Sequence, residues 1–297
     1  MNFDLNDFRL ILNIAETQNL TRAAERSFIS TPAASHRIKQ LEQQLGLKVL
    51  RRSTQGVELT EIGLIYLKYA RSIAQELECL RGDLAQFNQH LQGTLSIVAN
   101  TTAITEYIPH ALSEYLVTHP QVDVNLQEML SEDIVERVSE RRADLGIISG
   151  NIDTKNLKTQ DLISSKLILI APKNHPILVH DRVKFSIATG YPVVTLREGS
   201  AIQLFLNKIA QDIGQRLTVR VQVSSYDSIC QMVATGAGIS IIPYAAFQRL
   251  QHIHPTLAYR QIDEDWAERS FKICAIDFNA LSQFARDFMT CLTENVA

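Results

Sequence analysis

The side chains of this 297-residue chain best suited to redox, nucleophilic or metal chemistry are four cysteines and eight histidines. Cys79, Cys230, Cys274 and Cys291 are scattered, with no CxxC and no cysteine or histidine at a ligand interval, so neither a zinc centre nor a disulfide scaffold is indicated. They read as reduced and structural. A thiol-based redox sensor needs two cysteines in reach; Cys230 and Cys274 could meet only through the fold, and no close sequence pair supports a switch. His119-Pro120 and His175-Pro176 look like loop starters rather than acid–base groups. GxxxxGK[ST], HExxH and GxSxG are absent, and Thr235-Gly236-Ala237-Gly238-Ile239 is a lone GxG without the flanking dinucleotide fingerprint. The expectation is a chain without catalytic residues, metal or cofactor, with an α/β enzyme as the weaker alternative.

What is concentrated is charge. The net charge is −3, yet the stretch from Leu20 to Thr54 holds seven basic residues (Arg22, Arg26, Arg37, Lys39, Lys48, Arg51, Arg52) against Glu25 and Glu42. A local basic patch on an acidic chain is the footprint of a small nucleic-acid-binding module, because phosphate attraction is screened beyond a Debye length. The opening Met1–Asp7 carries acids and no signal-peptide pattern, and no apolar run is long enough to span a bilayer, so a cytoplasmic protein without membrane contact is expected.

The elements around the patch are legible. Leu5, Phe8, Leu12 and Ala15 recur at helical spacing. Asn19 and Thr21 are candidate caps for a short helix whose Ala23-Ala24 permits close packing. Ser30 caps a second helix with Pro32 in its first turn, where a missing N–H is harmless. In that helix Ala34, Ile38, Leu41 and Leu45 share one face, leaving Thr31, Pro32, His36 and Lys39 toward the other side and Ser35 at its margin. Gly46 ends it, and Leu47–Arg52 and Val57–Thr60 read as two short strands around Gly56. This is a winged helix-turn-helix. Its second helix suits the major groove, with Ser35 and His36 at base edges, Thr31 and Pro32 placing the helix start, and Lys39, Arg51 and Arg52 on phosphates.

The same residues resemble the LysR-type transcriptional regulators. The resemblance runs through Leu5 and Phe8, Thr21-Arg22-Ala23-Ala24-Glu25, Pro32-Ala33-Ala34-Ser35, Ile38-Lys39-Gln40-Leu41-Glu42, Leu45-Gly46, Arg52 and Leu59-Thr60-Glu61-Ile62-Gly63. Ser27 departs from the usual Leu, Leu50 from Phe, and Thr31 from a frequent Gln, so a base contact by that glutamine is not carried over. Residues 1–63 form the expected DNA-binding domain. In 64–92, Leu67, Ala70, Ala74, Leu77, Leu80, Leu84, Phe87 and Leu91 step by threes and fours, predicting a long amphipathic helix. The resemblance makes it a dimerisation helix, and implies an inverted-repeat double-stranded DNA operator, a homodimer or homotetramer, and RNA polymerase as a further partner.

From Gly93 the texture becomes α/β. Strands are predicted at Thr94–Ala99, Val122–Glu128, Asp144–Ser149, Lys166–Pro172, Pro192–Leu196, Thr218–Val223, Ile239–Ile242 and Phe271–Ile276, mostly separated by helix-length segments. Such alternation argues for parallel sheets. The resemblance implies a two-lobed periplasmic-binding-protein-like (type 2) effector domain over 93–297, with lobe I at about 94–164 and 268–297 and lobe II at about 165–267. The chain would cross near Ile163–Ser165 and near Trp266–Ser270. Ligands of open α/β sheets lie beyond the strand carboxyl ends, near helix N-termini. Asn100, Thr101, Thr102, Ser131, Ser149, Arg197, Ser200 and Ser225 occupy such positions and predict a site for a small, anionic effector, although each hydroxyl could instead serve only as a cap.

Overall fold

The computed structural model describes residues 3–53, 56–85, 87, 92–150 and 152–296, without the side chains of Arg52 and Ser53. The chain divides near Gly93 into two compact units.

The first unit is built by local chemistry. Helix α1 (Leu5–Thr17) starts where the Asp4 carboxylate accepts the Asn6 N–H, and α2 (Leu20–Arg26) where Asn19 accepts the N–H of Arg22. Helix α3 (Thr31–Leu45) is capped by Ser30, carries Pro32 in its first turn and ends at Gly46, whose φ of 64° is the left-handed conformation that favours glycine. The wing is the antiparallel pair β1 (Leu50–Ser53) and β2 (Gly56–Leu59), shorter than expected because Leu47–Val49 remain outside the ladder. The buried face of α1 is Phe8, Leu10, Ile11 and Ile14; Leu5, expected on that face, is 53% exposed.

Helix α4 (Glu61–Ala85) begins earlier than the linker expected at 64–92. Its first turns are not linker at all: Tyr66, Leu67 and Ala70 complete the core with Ile11, Ile14, Ala34 and Leu41, and Tyr66 stacks on Phe8 at 5.0 Å. Gly63 permits this approach, since a Cβ there would lie 2.2 Å from the Val49 carbonyl oxygen. The outer half has no such cover within the unit; Leu80 and Leu84 are 53% and 46% exposed. Leu91 lies outside the described residues.

The second unit contains two α/β lobes joined through one long strand. In the first lobe the order is β4 (Val122–Glu128), β3 (Gly93–Ala99), β5 (Leu145–Ser149), β12 (Glu268–Ala275) and the first part of β6 (Lys158–Pro172). A π-helical turn (Ala103–Tyr107) leads into α5 (Ile108–Thr118); α6 (Ser131–Ser139) and the C-terminal α11 (Gln283–Val296) also belong here. The second part of β6 pairs with β10 (Ser240–Pro243) and β11 (Leu257–Ile262), and β11 with the short β7 (Arg182–Val183). The parallel pair β8 (Pro192–Leu196) and β9 (Thr218–Val223) is tied to β10 by a bridge from Val193 to Ile239. Helices α7 (Phe185–Ala188), α8 (Ala201–Asp212), α9 (Tyr226–Ala234) and α10 (Tyr244–Leu250) complete the lobe.

The expectation of parallel sheets needs correction. The ladders β3–β5, β8–β9 and β11–β7 are parallel, but β12 runs antiparallel to both β5 and β6, and β10 and β11 run antiparallel to β6. The physical cause is that β6 and β12 each run between the lobes, in opposite directions, pairing Ser165 with Arg269 and Ile163 with Phe271.

Candidate nucleic-acid interface and ligand cleft

Pro32, Ser35, His36 and Lys39 project from α3 as an exposed row, with Thr31 half-buried at its start, while Ala34, Ile38 and Leu41 hold the opposite side in the core. The burial pattern thus presents one polar face of the helix. Arg37 does something else: its Nε donates to Asp7 Oδ1 at 2.8 Å and its Nη2 to Asp4 Oδ2, pinning α3 to the start of α1. The Asn6 N–H and the Arg37 guanidinium hold the Asp4 carboxyl below its ordinary value.

Glu42 locks the other end of α3. Its Oε1 accepts the N–H of Val49 at 3.1 Å and of Leu50 at 3.3 Å, and its Oε2 meets Lys48 Nζ at 2.6 Å. Burial alone would raise this carboxyl, but those contacts outweigh it and hold it below its ordinary value. In the wing, Arg51 is paired across the ladder with Glu58 at 2.9 Å, and Arg26 with Glu16 at 2.8 Å. Arg22 and Lys39 have no ion pair among the described residues; the Arg52 side chain lies outside them.

The second unit holds a cleft of about 480 Å³ between its lobes. Five of the eight residues expected to contact an effector line it: Asn100, Thr101, Thr102, Ser131 and Ser149, all nearly buried. Asn100 caps the following turn by accepting the Ala103 N–H, and donates from Nδ2 to Ser149 Oγ at 2.8 Å. Thr101 donates to Glu128 at 2.6 Å. Ser131 Oγ donates to the Ser149 carbonyl and accepts the Ser149 N–H at 3.1 Å. Ser200 is buried beside the lining residues Ala201 and Ile202, and its hydroxyl has no partner among the described residues.

Arg197 and Ser225 are not brought to the cleft lining. Arg197 is exposed in the bend before Ser200, and Ser225 uses its hydroxyl to cap α9 by accepting the Ser228 N–H at 3.2 Å. In their place stands Arg269 of β12. Its Nη2 donates to Ser149 Oγ at 2.6 Å, and its Cζ lies 4.4 Å from the centroid of Phe205 on α8. Burial depresses its pKa, without approaching neutrality for a guanidinium. The sequence placed a crossing near Trp266–Ser270 but gave no local reason to select Arg269 within it.

The lobes are also joined away from the cleft lining. Arg249 of α10 grips Glu106 of the π-helical turn with two bonds of 3.2 Å, and approaches Asp227 at 3.5 Å; the Glu106 side chain is 2% exposed. The cysteines do not converge: Cys230 sits in the core of the second lobe and Cys274 in that of the first. Burial pushes their thiols up to about 11 and about 12.

A winged helix-turn-helix on a long helix, followed by a two-lobed cleft domain, is the architecture of an effector-responsive DNA-binding regulator. Residues 5–64 match the family described as bacterial regulatory helix-turn-helix protein, lysR family, and residues 88–297 match the LysR substrate binding domain. The chain belongs to the LysR family of transcriptional regulators. It is 30% identical over 255 residues to a probable RuBisCO transcriptional regulator of Trieres chinensis, covering 83% of this chain and 82% of the relative. It is 24% identical to the transcriptional activator CmpR of Synechocystis, over 98% and 95% of the two chains. A full-length point variant of OxyR from Pseudomonas aeruginosa shares the fold with a TM-score of 0.70 at 22% identity, covering 100% of this chain and 95% of that one. Full-length CbnR in complex with its target DNA does so with a TM-score of 0.58 at 19% identity, covering 99% and 100%.

Proposed function

We propose that this chain is a cytoplasmic regulator that binds an inverted-repeat operator as a homodimer or homotetramer and responds to a small anionic effector in the interlobe cleft, without catalysing a reaction. Ser35 and His36 read base edges, Thr31 and Pro32 set the helix start, and Lys39, Arg51 and Arg52 neutralise phosphates. Relatives are named as regulators and one structural neighbour was solved on its target DNA, which supports the DNA reading. The exposed outer half of α4 supports pairing with a second copy, whose symmetry an inverted repeat would match. Among the described residues no helix is long and apolar enough to cross a membrane.

The observation that carries the effector reading is the cleft itself: polar, nearly buried side chains from one lobe face Leu204, Phe205 and Ile209 of the other across about 480 Å³. A ligand touching both sides binds one lobe arrangement better than another, and only that difference can shift transcription. The RNA polymerase contact would follow from the resulting change in DNA-bound geometry. Footprints on DNA flanking the gene, with and without a panel of small organic acids, test this. A protected inverted repeat whose pattern changes with one acid is expected. Protection that no cleft substitution and no small molecule alters would overturn the effector assignment.

A thiol-redox reading is disfavoured by the two separate cores that hold Cys230 and Cys274 and by their raised thiol values.

A further inference from the structure

We infer that the cleft selects an organic monocarboxylate with an apolar body, and that Arg269 is the residue that holds the carboxylate. This rests on the cleft being the effector site and names the class of molecule it takes.

The argument is a count of donors and acceptors. Ser149 Oγ accepts from both Asn100 Nδ2 and Arg269 Nη2. A hydroxyl has two lone pairs and one proton, so this serine has a proton left to give and no acceptor for it among the described residues. Arg269 has five N–H groups, of which one is engaged among the described residues, and none of the ion pairs among those residues includes it. The buried Ser200 hydroxyl adds a third orphan donor at the start of a helix of 12 residues. Meanwhile the Asn100 Oδ1 acceptor is already taken by the Ala103 N–H. Buried donors left unmatched are costly, so the complementary ligand group only accepts. A carboxylate does; a hydroxyl or ammonium does not.

Geometry sharpens the class. The Phe205 ring lies against the guanidinium, 4.4 Å from its Cζ, and so holds Arg269 at the cleft, where its fork can match a carboxylate bidentately. The facing wall of α8 offers Leu204, Phe205 and Ile209, which suit hydrocarbon rather than further charge. At the rim, Glu132 and Asp212 outnumber Lys208, so a second negative group would meet net repulsion.

The chain's one tryptophan, Trp266, packs edge-on to Phe205 at 5.7 Å and reports on this wall through its emission. The full-length protein is titrated at constant ionic strength with hexanoate and benzoate, with the matching amides, and with inorganic phosphate. Saturable change with a carboxylate and none with the amides or phosphate is expected. Arg269→Met should weaken carboxylate binding about tenfold or more, with Arg269→Lys recovering only part, because a point charge replaces a fork. Circular dichroism and thermal melting of each variant without ligand serve as the folding control. Equal binding of amides or phosphate, or no saturable response to either carboxylate, overturns the class. A carboxylate that binds Arg269→Met as well as the parent but is blocked by the cleft-filling Ala201→Phe overturns the Arg269 assignment while leaving the cleft as the site. Binding that survives both substitutions places the ligand elsewhere, and the cleft reading falls with the proposal.

Discussion

Two side chains on α3 point in opposite directions and separate two kinds of effect. Ser35 is exposed on the helix face free of the core, and its replacement by Ala should cost discrimination between operator and random duplex, by roughly 1–3 kcal/mol, with little change in nonspecific affinity. Lys39→Ala should lower affinity for both duplexes alike and reduce the salt slope by about one; binding titrations at several salt concentrations distinguish the two. Glu42 faces inward. Because its folded value is depressed below the unfolded one, its contribution to stability is present above the unfolded value and is lost as pH falls through the folded one. Glu42→Gln should therefore cost about 1–3 kcal/mol near neutrality and little in acid, read most directly from faster amide exchange at Val49 and Leu50 at pH 7. The exposed face of α3 and the caps Asn19, Ser30 and Gly46 were legible in the sequence, because each follows from its own few neighbours. Arg269 was not, since its meaning arises when β12 is laid against β6 more than a hundred residues away. Arg197 looked suitable by charge and position alone, and the bend before Ser200 leaves it in solvent.

Elements were predicted best where a helical period ran undisturbed. The strands β7 and β11 escaped because one spans only Arg182–Val183 and the other alternates too weakly to stand out from a loop, and both exist through pairing. The long helix α4 was seen as one periodic run, but periodicity does not show that its first turns belong to a core. Gly63→Ala tests that junction: a Cβ would press on the Val49 carbonyl, and a loss of roughly 2 kcal/mol or more is expected in thermal unfolding of the first unit. The pair Glu106–Arg249 is the corresponding junction between lobes. Arg249→Met leaves a carboxylate buried without its partner, whereas adding Glu106→Gln removes that charge, so the double variant should be more stable than Arg249→Met alone. A double variant that melts below the single one would show that the pair does not hold the lobes.

At the scale of the assembled regulator, the exposed outer face of α4 gives a direct expectation. Leu84→Asp would place a charge in any helix-to-helix seam, and sedimentation should show dissociation of the dimer; a dimer that persists would move the interface elsewhere. The DNA-binding unit also carries an electrostatic consequence beyond stability. The basic stretch from Leu20 to Thr54 has five positive charges in excess, but folding brings Asp4, Asp7, Glu16 and Glu58 beside its arginines and leaves an excess of one. A guanidinium that turns to a phosphate leaves its carboxylate nearby, so few counterions are released when the unit lands on arbitrary duplex. Dwell times on wrong sequence should be short as a result, which tracking single molecules on duplex lacking the operator would check, and the contacts proposed for α3, doubled by a second copy, would then carry the hold at the operator.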